Sequence, residues 1–246
     1  MPAFRHILFP VEFSERSKAV CPYVRSFAGH FHAKVTLLNV VQLPPAIPSS
    51  GDFSYPVMID FPALEQIRDA FKGRLKDYFD APEVERVVEL GDPAIDISDY
   101  ARQHGVDLIM LPTHGYGRFR SLLLGSVVSK VLHDSDCAVW TAPHAEDPVM
   151  QQHWPCRRLV VAVDRGSEQA WVLRRAVELA RELGTSVRLV HAVPGAQHQS
   201  WETGGEEFAQ FLLQMAEQDM AKLQAAAGTK FEVSVVAGGI GPGCGK

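Results

Sequence analysis

Paired cysteines, long apolar runs and an excess of basic charge are all missing from this 246-residue chain. The four cysteines, Cys21, Cys137, Cys156 and Cys244, lie far apart, without the short paired spacing that lets two thiolates grip one zinc ion. Free thiols in a reducing compartment are the expectation. No apolar stretch approaches the roughly 18 residues that span a bilayer. The opening MPAFRHILFPVEF is itself broken by Pro10 and Glu12. A cytoplasmic protein with no membrane partner is expected. The 24 Lys and Arg face 29 Asp and Glu, a formal charge of -5, and no block of like charge stands out. Nucleic acid usually needs a basic face, so it is not an expected partner.

What is present is the balance of a folded globular protein. Apolar residues make up 46% and charged residues 22% of the chain, enough to bury a proper core. The length allows two small units or one and a half.

Five short apolar segments rich in β-branched residues read as strands: 6–11 (HILFPV), 35–41 (VTLLNVV), 84–90 (VERVVEL), 106–111 (VDLIML) and 137–140 (CAVW). Helical stretches separate them. Ser14 opens one that runs to about Ala28, with Pro22 removing a backbone hydrogen bond in its middle and predicting a kink. A second runs from about Pro62 to Phe79, with Leu64, Ile67, Phe71, Leu75 and Tyr78 on its inner side. The clearest covers Asp92 to His104, where Asp92 caps, Pro93 suits the first turn and Gly105 ends the helix. Residues 42–61, with four prolines, form a long loop. Strands alternating with such helices predict an α/β fold, a doubly wound parallel sheet covered on both faces.

An internal repeat organises the chain. RHILFPVEFSE from Arg5 and RLVVAVDRGSE from Arg158 share a strand, an acidic residue and a helix start. An offset of 152 residues aligns Glu12 with Asp164 and, without a gap, carries VTLLNVV at 35–41 onto VRLVHAV at 187–193. A helix over about Glu206 to Ala226 and the strand FEVSVV at 231–236 follow, and VELGDP at 88–93 resembles VVAGGI at 235–240. No counterpart of residues 94–143 follows, so the second copy is expected to lack its last two strands. The domains expected are a complete unit at 1–143, a polar, proline-bounded linker at 144–156 and a partial repeat at 157–246.

After the fourth strand, PTHGYGRFRSLLLGSVVSKVL places Gly115 in a tight loop and Gly125-Ser126 at the start of a helix reaching about His133. Glycine lets main-chain amides approach a phosphate, and a helix start offers unpaired donors and the positive end of the helix dipole. Ser126 either caps the helix or donates to a phosphate oxygen. In an open parallel sheet, ligands sit beyond the carboxyl ends of the strands where strand order reverses. With the order 3-2-1-4-5, Glu12 and the Pro112 to Gly115 loop face each other there. His114, Arg118 and Arg120 stand near the expected phosphates, although a lone loop histidine or arginine is often simply solvated. The closing GGIGPGCGK is not a P-loop: Ile240 stands five before Gly245, and neither Ser nor Thr follows Lys246.

The strand ending in PVEFS, the GDP before a helix, and THG followed nine residues later by GS together resemble the universal stress proteins over residues 5–142. The resemblance implies an adenine-nucleotide α-hydrolase-like fold with strand order 3-2-1-4-5 and bound ATP, carried with Mg or Mn. Nucleotide-binding members show G-x2-G-x9-G-(S/T), which falls on Pro112, Gly115, Gly125 and Ser126, so the first glycine is a proline here. Carried over by position, the pattern puts Pro10, Val11 and Glu12 beside the adenosine and Val40 and Leu111 near the base. Pro112, His114, Gly115, Gly125, Ser126 and Val127 surround the phosphates. Glu12 stands where the family usually has aspartate. No triad, catalytic dyad or zinc cluster accompanies these residues, so no dedicated catalysis is expected beyond slow ATP hydrolysis. The SGGxDS and HxGH motifs of adenylating relatives are absent from VEFSERS. The resemblance also implies a regulatory role in stress and a homodimer through the apolar edge strand at Cys137 to Thr141. The alternative is an interaction module that has lost nucleotide and works by dimer contacts alone.

Overall fold

A computed structural model of the chain describes residues 3–42, 61–80, 84–113, 124–142, 156–164, 166, 169–194 and 205–238, with backbone alone at 61–64 and 205. It divides into two compact units, Met1–Trp154 and Pro155–Lys246.

In the first unit, five parallel strands, β1 (His6–Pro10), β2 (Lys34–Val41), β3 (Glu85–Leu90), β4 (Leu108–Pro112) and β5 (Ala138–Ala142), form one sheet in the order β3-β2-β1-β4-β5. The expected strand order is thus the observed one. Helices α1 (Glu15–Phe31), α2 (Phe61–Gly73), α3 (Pro93–Gln103) and α4 (Ser126–Asp134) connect the strands. The sheet's period of two divides its side chains between two buried faces. Leu8, Leu38, Ile109 and Leu111 join Ile97, Tyr100 and Ala101 of α3 and Val128 and Val131 of α4 in one core. On the opposite face Trp140 of β5 lies against Tyr23 and Phe27 of α1, with ring centroids 5.2 and 6.2 Å apart.

The helix signals act as their chemistry dictates. Ser14 caps α1, its hydroxyl oxygen accepting from the Ser17 amide at 3.1 Å. Asp92 caps α3 by accepting from the Ala94 amide at 2.8 Å, Pro93 occupies the first turn, and Gly105 turns out with φ 61°. Pro22 does not end α1: helix runs unbroken to Phe31 because Val20, Cys21, Val24, Phe27 and Phe31 all bury. Helix α2 is shorter than its apolar periodicity predicts. It stops at Gly73, Leu75 turns left-handed (φ 58°), and turns run on to Tyr78 before Phe79, while Ile67 is 38% exposed and Phe71 and Phe79 carry the packing.

The sheet's amino-terminal end is unexpectedly polar. Nε2 of His6 lies 2.9 Å from the Thr36 hydroxyl, which donates to Glu85 at 3.1 Å, and Lys34 pairs with Glu85 at 2.8 Å. Asp107 accepts from the Arg5 and His6 amides, fixing β1 against the start of β4.

The second unit repeats half of this plan. Strands β6 (Arg158–Ala162), β7 (Ser186–Val193) and β8 (Glu232–Ala237) form a parallel sheet in the order β6-β7-β8, with helices α5 (Gln169–Leu183) and α6 (Gly205–Ala227). Val163, Leu173, Leu189 and Met220 make its core. Three strands and two helices fit the incomplete second copy read from the sequence. The consequence is visible at one repeat position: Leu8 is fully buried, whereas Val160, 152 residues on, is 61% exposed. The terminal GPGCGK segment lies outside the described residues.

Candidate functional site

The strand order reverses between β1 and β4, and in open parallel sheets ligands sit beyond the carboxyl ends of the strands at such a point. Two hydrogen bonds fix the tip of β1. The Val11 amide donates to the Leu38 carbonyl at 2.8 Å, and the Asn39 side-chain amide donates to the Val11 carbonyl at 2.7 Å. Val11 is buried and Glu12, next in the chain, is exposed. The Ser14 hydroxyl donates to Oε1 of Glu12 at 2.9 Å, so one serine both caps α1 and holds the carboxylate. Between them Phe13 adopts φ 63°.

On the other side of this point β4 ends at Pro112, in register with Ala142 of β5. Pro112 is an extended strand residue, so the position needs no left-handed backbone and suits a strand end. Thr113 follows, and its carbonyl accepts from the Gly125 amide at 2.9 Å, closing the intervening loop at its base. Gly125 is the N-cap of α4 and Ser126 its first residue. Ser126 therefore does not cap the helix, and the Gly125 amide is engaged within the protein. The first helical bond runs from the Ser129 amide to the Gly125 carbonyl at 2.9 Å, which leaves the amides of Ser126, Val127 and Val128 as the donors of the first turn. Ser126 is exposed, and Val127 packs partly against the core.

Of the other residues singled out by sequence, Pro10 ends β1, and Val40 is partly buried against the α3 and α4 core. Leu111 is 3% exposed and belongs to that core. His114 and Gly115 lie outside the described residues, as do Arg118 and Arg120. Among the described residues, no group of three His, Cys, Asp or Glu side chains is placed to hold a metal ion. Cys21, Cys137 and Cys156 are free thiols, and burial pushes that of Cys21 up to about 12.

Sequence reasoning passes over Asn39 and reads Ser14 only as a helix start, yet these two side chains set the β1 tip. A signal for Asn39 exists in the repeat, where the position 152 residues on is His191. There the same lock recurs: Nδ1 of His191 lies 2.8 Å from the Val163 carbonyl, and the Val163 amide donates to the Val190 carbonyl at 3.0 Å. A polar residue at this strand position in both copies marks the lock. At the tip of β3, Gly91 has a steric reason, since a Cβ there would come 1.8 Å from Oδ2 of Asp96. Burial, with Asp96 nearby, holds the Glu89 carboxyl above the usual range.

The family model described as the universal stress protein family matches the chain twice, over residues 3–143 and 155–243. A universal stress protein of Methanocaldococcus jannaschii is 25% identical over 150 residues, covering 54% of this chain and 91% of the relative. Universal stress protein A homolog 1 of Coxiella burnetii is 29% identical over 144 residues, covering 56% and 96% respectively. Among solved structures, a universal stress protein from Archaeoglobus fulgidus superposes with a TM-score of 0.61 at 21% identity, over 95% of this chain and 78% of that one. This last likeness is one of fold.

Proposed function

This chain belongs to the universal stress protein family, and from that premise we propose that its first unit binds ATP, or a related adenine nucleotide, in the crevice between β1 and β4. One observation carries the reading. An exposed carboxylate, Glu12, follows the tip of β1, beside the strand whose loop leads into the first turn of α4, which no side chain caps. The two ends of such a ligand ask for opposite chemistry. A ribose hydroxyl or adenine amine donates to a carboxylate, and phosphate oxygens accept from main-chain amides at the positive end of a helix.

In this reading Pro10, Val11 and Glu12 line the adenosine, with Val40 and the buried Leu111 behind the base. Ser126 and Val127 receive the phosphates, with Gly125, His114 and Gly115 in the loop around them. Mg or Mn would arrive on the phosphates and spread their charge. Glu12 serves by accepting, and its extra methylene relative to aspartate is steadied by Ser14. The protein acts by binding, in stress response or regulation in the cytoplasm, and not by dedicated catalysis. Residues 1–143 and 157–246 act as two repeats joined by 144–156, and copies pair through the edge strand at Cys137 to Thr141.

A second reading is favoured by two details of the same crevice. Pro112 lacks an amide proton where the family pattern has glycine, and the Gly125 amide already serves Thr113. With fewer donors, the unit would work as an interaction module without nucleotide. Isothermal titration of the full chain with ATP and Mg separates the two. The first reading expects saturable binding that weakens in Glu12→Gln. An absence of saturation at millimolar ATP rejects it in favour of the second.

A further inference from the structure

Among the described residues, three that are not glycine have left-handed backbone: Phe13, His32 and Leu75. His32 is the C-cap of α1, and Leu75 follows the end of α2, where such a turn commonly closes a helix. Phe13 has no such reason. It follows a strand tip, precedes an N-cap, and is a bulky residue where glycine is favoured. Something must hold it there.

What holds it comes from the end of α2. The Phe13 ring meets Phe71 edge-on, with centroids 5.4 Å apart and planes at 72°. The Arg74 guanidinium lies over the same ring, 4.5 Å from its centroid. Phe71 is 2% exposed and cannot easily yield, and Arg74 is tied back by its amide donating to the Phe71 carbonyl at 3.1 Å. The backbone on the other side is equally fixed, since Val11 is held by Leu38 and Asn39 and Ser14 by the cap of α1.

The left-handed turn has a direct effect on Glu12. In extended chain, side chains two apart point the same way but stand nearly two residue rises, roughly 6.5 Å, from one another. With residue 13 folded back, the two side chains are drawn together and the Ser14 hydroxyl donates to Oε1 of Glu12 at 2.9 Å. Relaxation of Phe13 to the extended region would move the two side chains apart and take Glu12 out of this held orientation.

We infer that Phe13 is a positioning residue for the proposed nucleotide site: clamped by Phe71 and Arg74, it keeps the backbone turned so that Ser14 holds Glu12 ready for the adenosine end of the ligand. The end of α2 thereby sets the affinity of a carboxylate through the residue that follows it. This rests on the nucleotide reading given above.

The test is ATP titration of the full chain carrying Phe13→Ala, Phe13→Gly or Arg74→Gln, each beside a thermal melt. Alanine removes the ring yet still resists the left-handed region, so its Kd rises about tenfold. Glycine removes the same ring but accepts that backbone, so its Kd stays within about twofold of wild type. Arg74 is exposed, so Arg74→Gln leaves the fold intact and carries the test should Phe13→Ala fail to fold; its Kd rises about threefold. A merely structural role makes glycine at least as damaging as alanine, and that order overturns the inference. So does wild-type affinity in both Phe13→Ala and Arg74→Gln. These outcomes leave the nucleotide reading standing, whereas a wild-type chain that fails to bind ATP removes both.

Discussion

Leu8 and Val160 occupy the same place in two copies of one motif, and truncating each to alanine should have very different costs. Leu8 is fully buried on the face of β1 that α3 and α4 cover. Removing three buried carbons at about 0.8 kcal/mol each loses about 2.4 kcal/mol of transfer free energy, and the cavity left behind raises the total to roughly 3–4 kcal/mol. Val160 is 61% exposed, so losing two carbons already mostly in water costs only about 0.6 kcal/mol on the same scale. Urea unfolding of the full chain, followed by circular dichroism and by amide hydrogen exchange resolved to each unit, measures both. Leu8→Ala should lower the stability of the first unit and leave exchange in β6 to β8 unchanged. A Val160→Ala cost near that of Leu8→Ala would refute the reasoning, because it would mean that the open face of the second sheet is covered in solution.

Two further outcomes follow from the locks and charges of the first unit. Asn39→Ala should destabilise it by about 1–3 kcal/mol, because the buried Val11 carbonyl loses its 2.7 Å partner, and Asn39→Asp, which offers no donor, should not restore it; urea midpoints of the two variants decide. His6 titrates below the ordinary imidazole value of about 6.5, through burial first and the nearby Lys34 second, with the His104 carbonyl, Glu85 and Asp107 opposing. The folded state thus binds this proton less readily than the unfolded chain, so stability falls as pH drops from about 6.5 through the lowered value, and His6→Gln should remove that part of the acid slope. Equal slopes for the two proteins between pH 7 and 5 would contradict the assignment.

Much of the fold was legible because its signals are local. Short apolar, β-branched runs between turn signals favour strands, and Ser14, Asp92, Pro93 and Gly105 carry their helix boundaries in their own side chains or in the lack of one. The repeat was legible because equal spacing needs no structure to be seen. Where reading failed, a distant contact decided. The periodicity of 62–79 promised helix to Phe79, but the left-handed Leu75 ends it, with Phe71 facing Phe13 and Phe79 facing Phe9 at 6.2 Å. Leu111, at the base-lining position of the family pattern, belongs to the core with Ile109, Val128 and Val131, a burial that its place in the pattern does not specify. The Gly125 amide, at a phosphate position of the family pattern, donates to Thr113, twelve residues away in sequence and adjacent in space.

The order of strand, helix and acidic tip belongs to the sequence because it depends on residues within a turn or two of one another, and the two-copy plan because a repeat is visible in spacing alone. The site's orientation does not. Which oxygen of Glu12 is held, why Phe13 bends backward, and how many amides at the start of α4 stay unengaged all follow from groups brought together across the sheet. Hydrogen bonds and ring contacts have directions that spacing along a chain cannot specify.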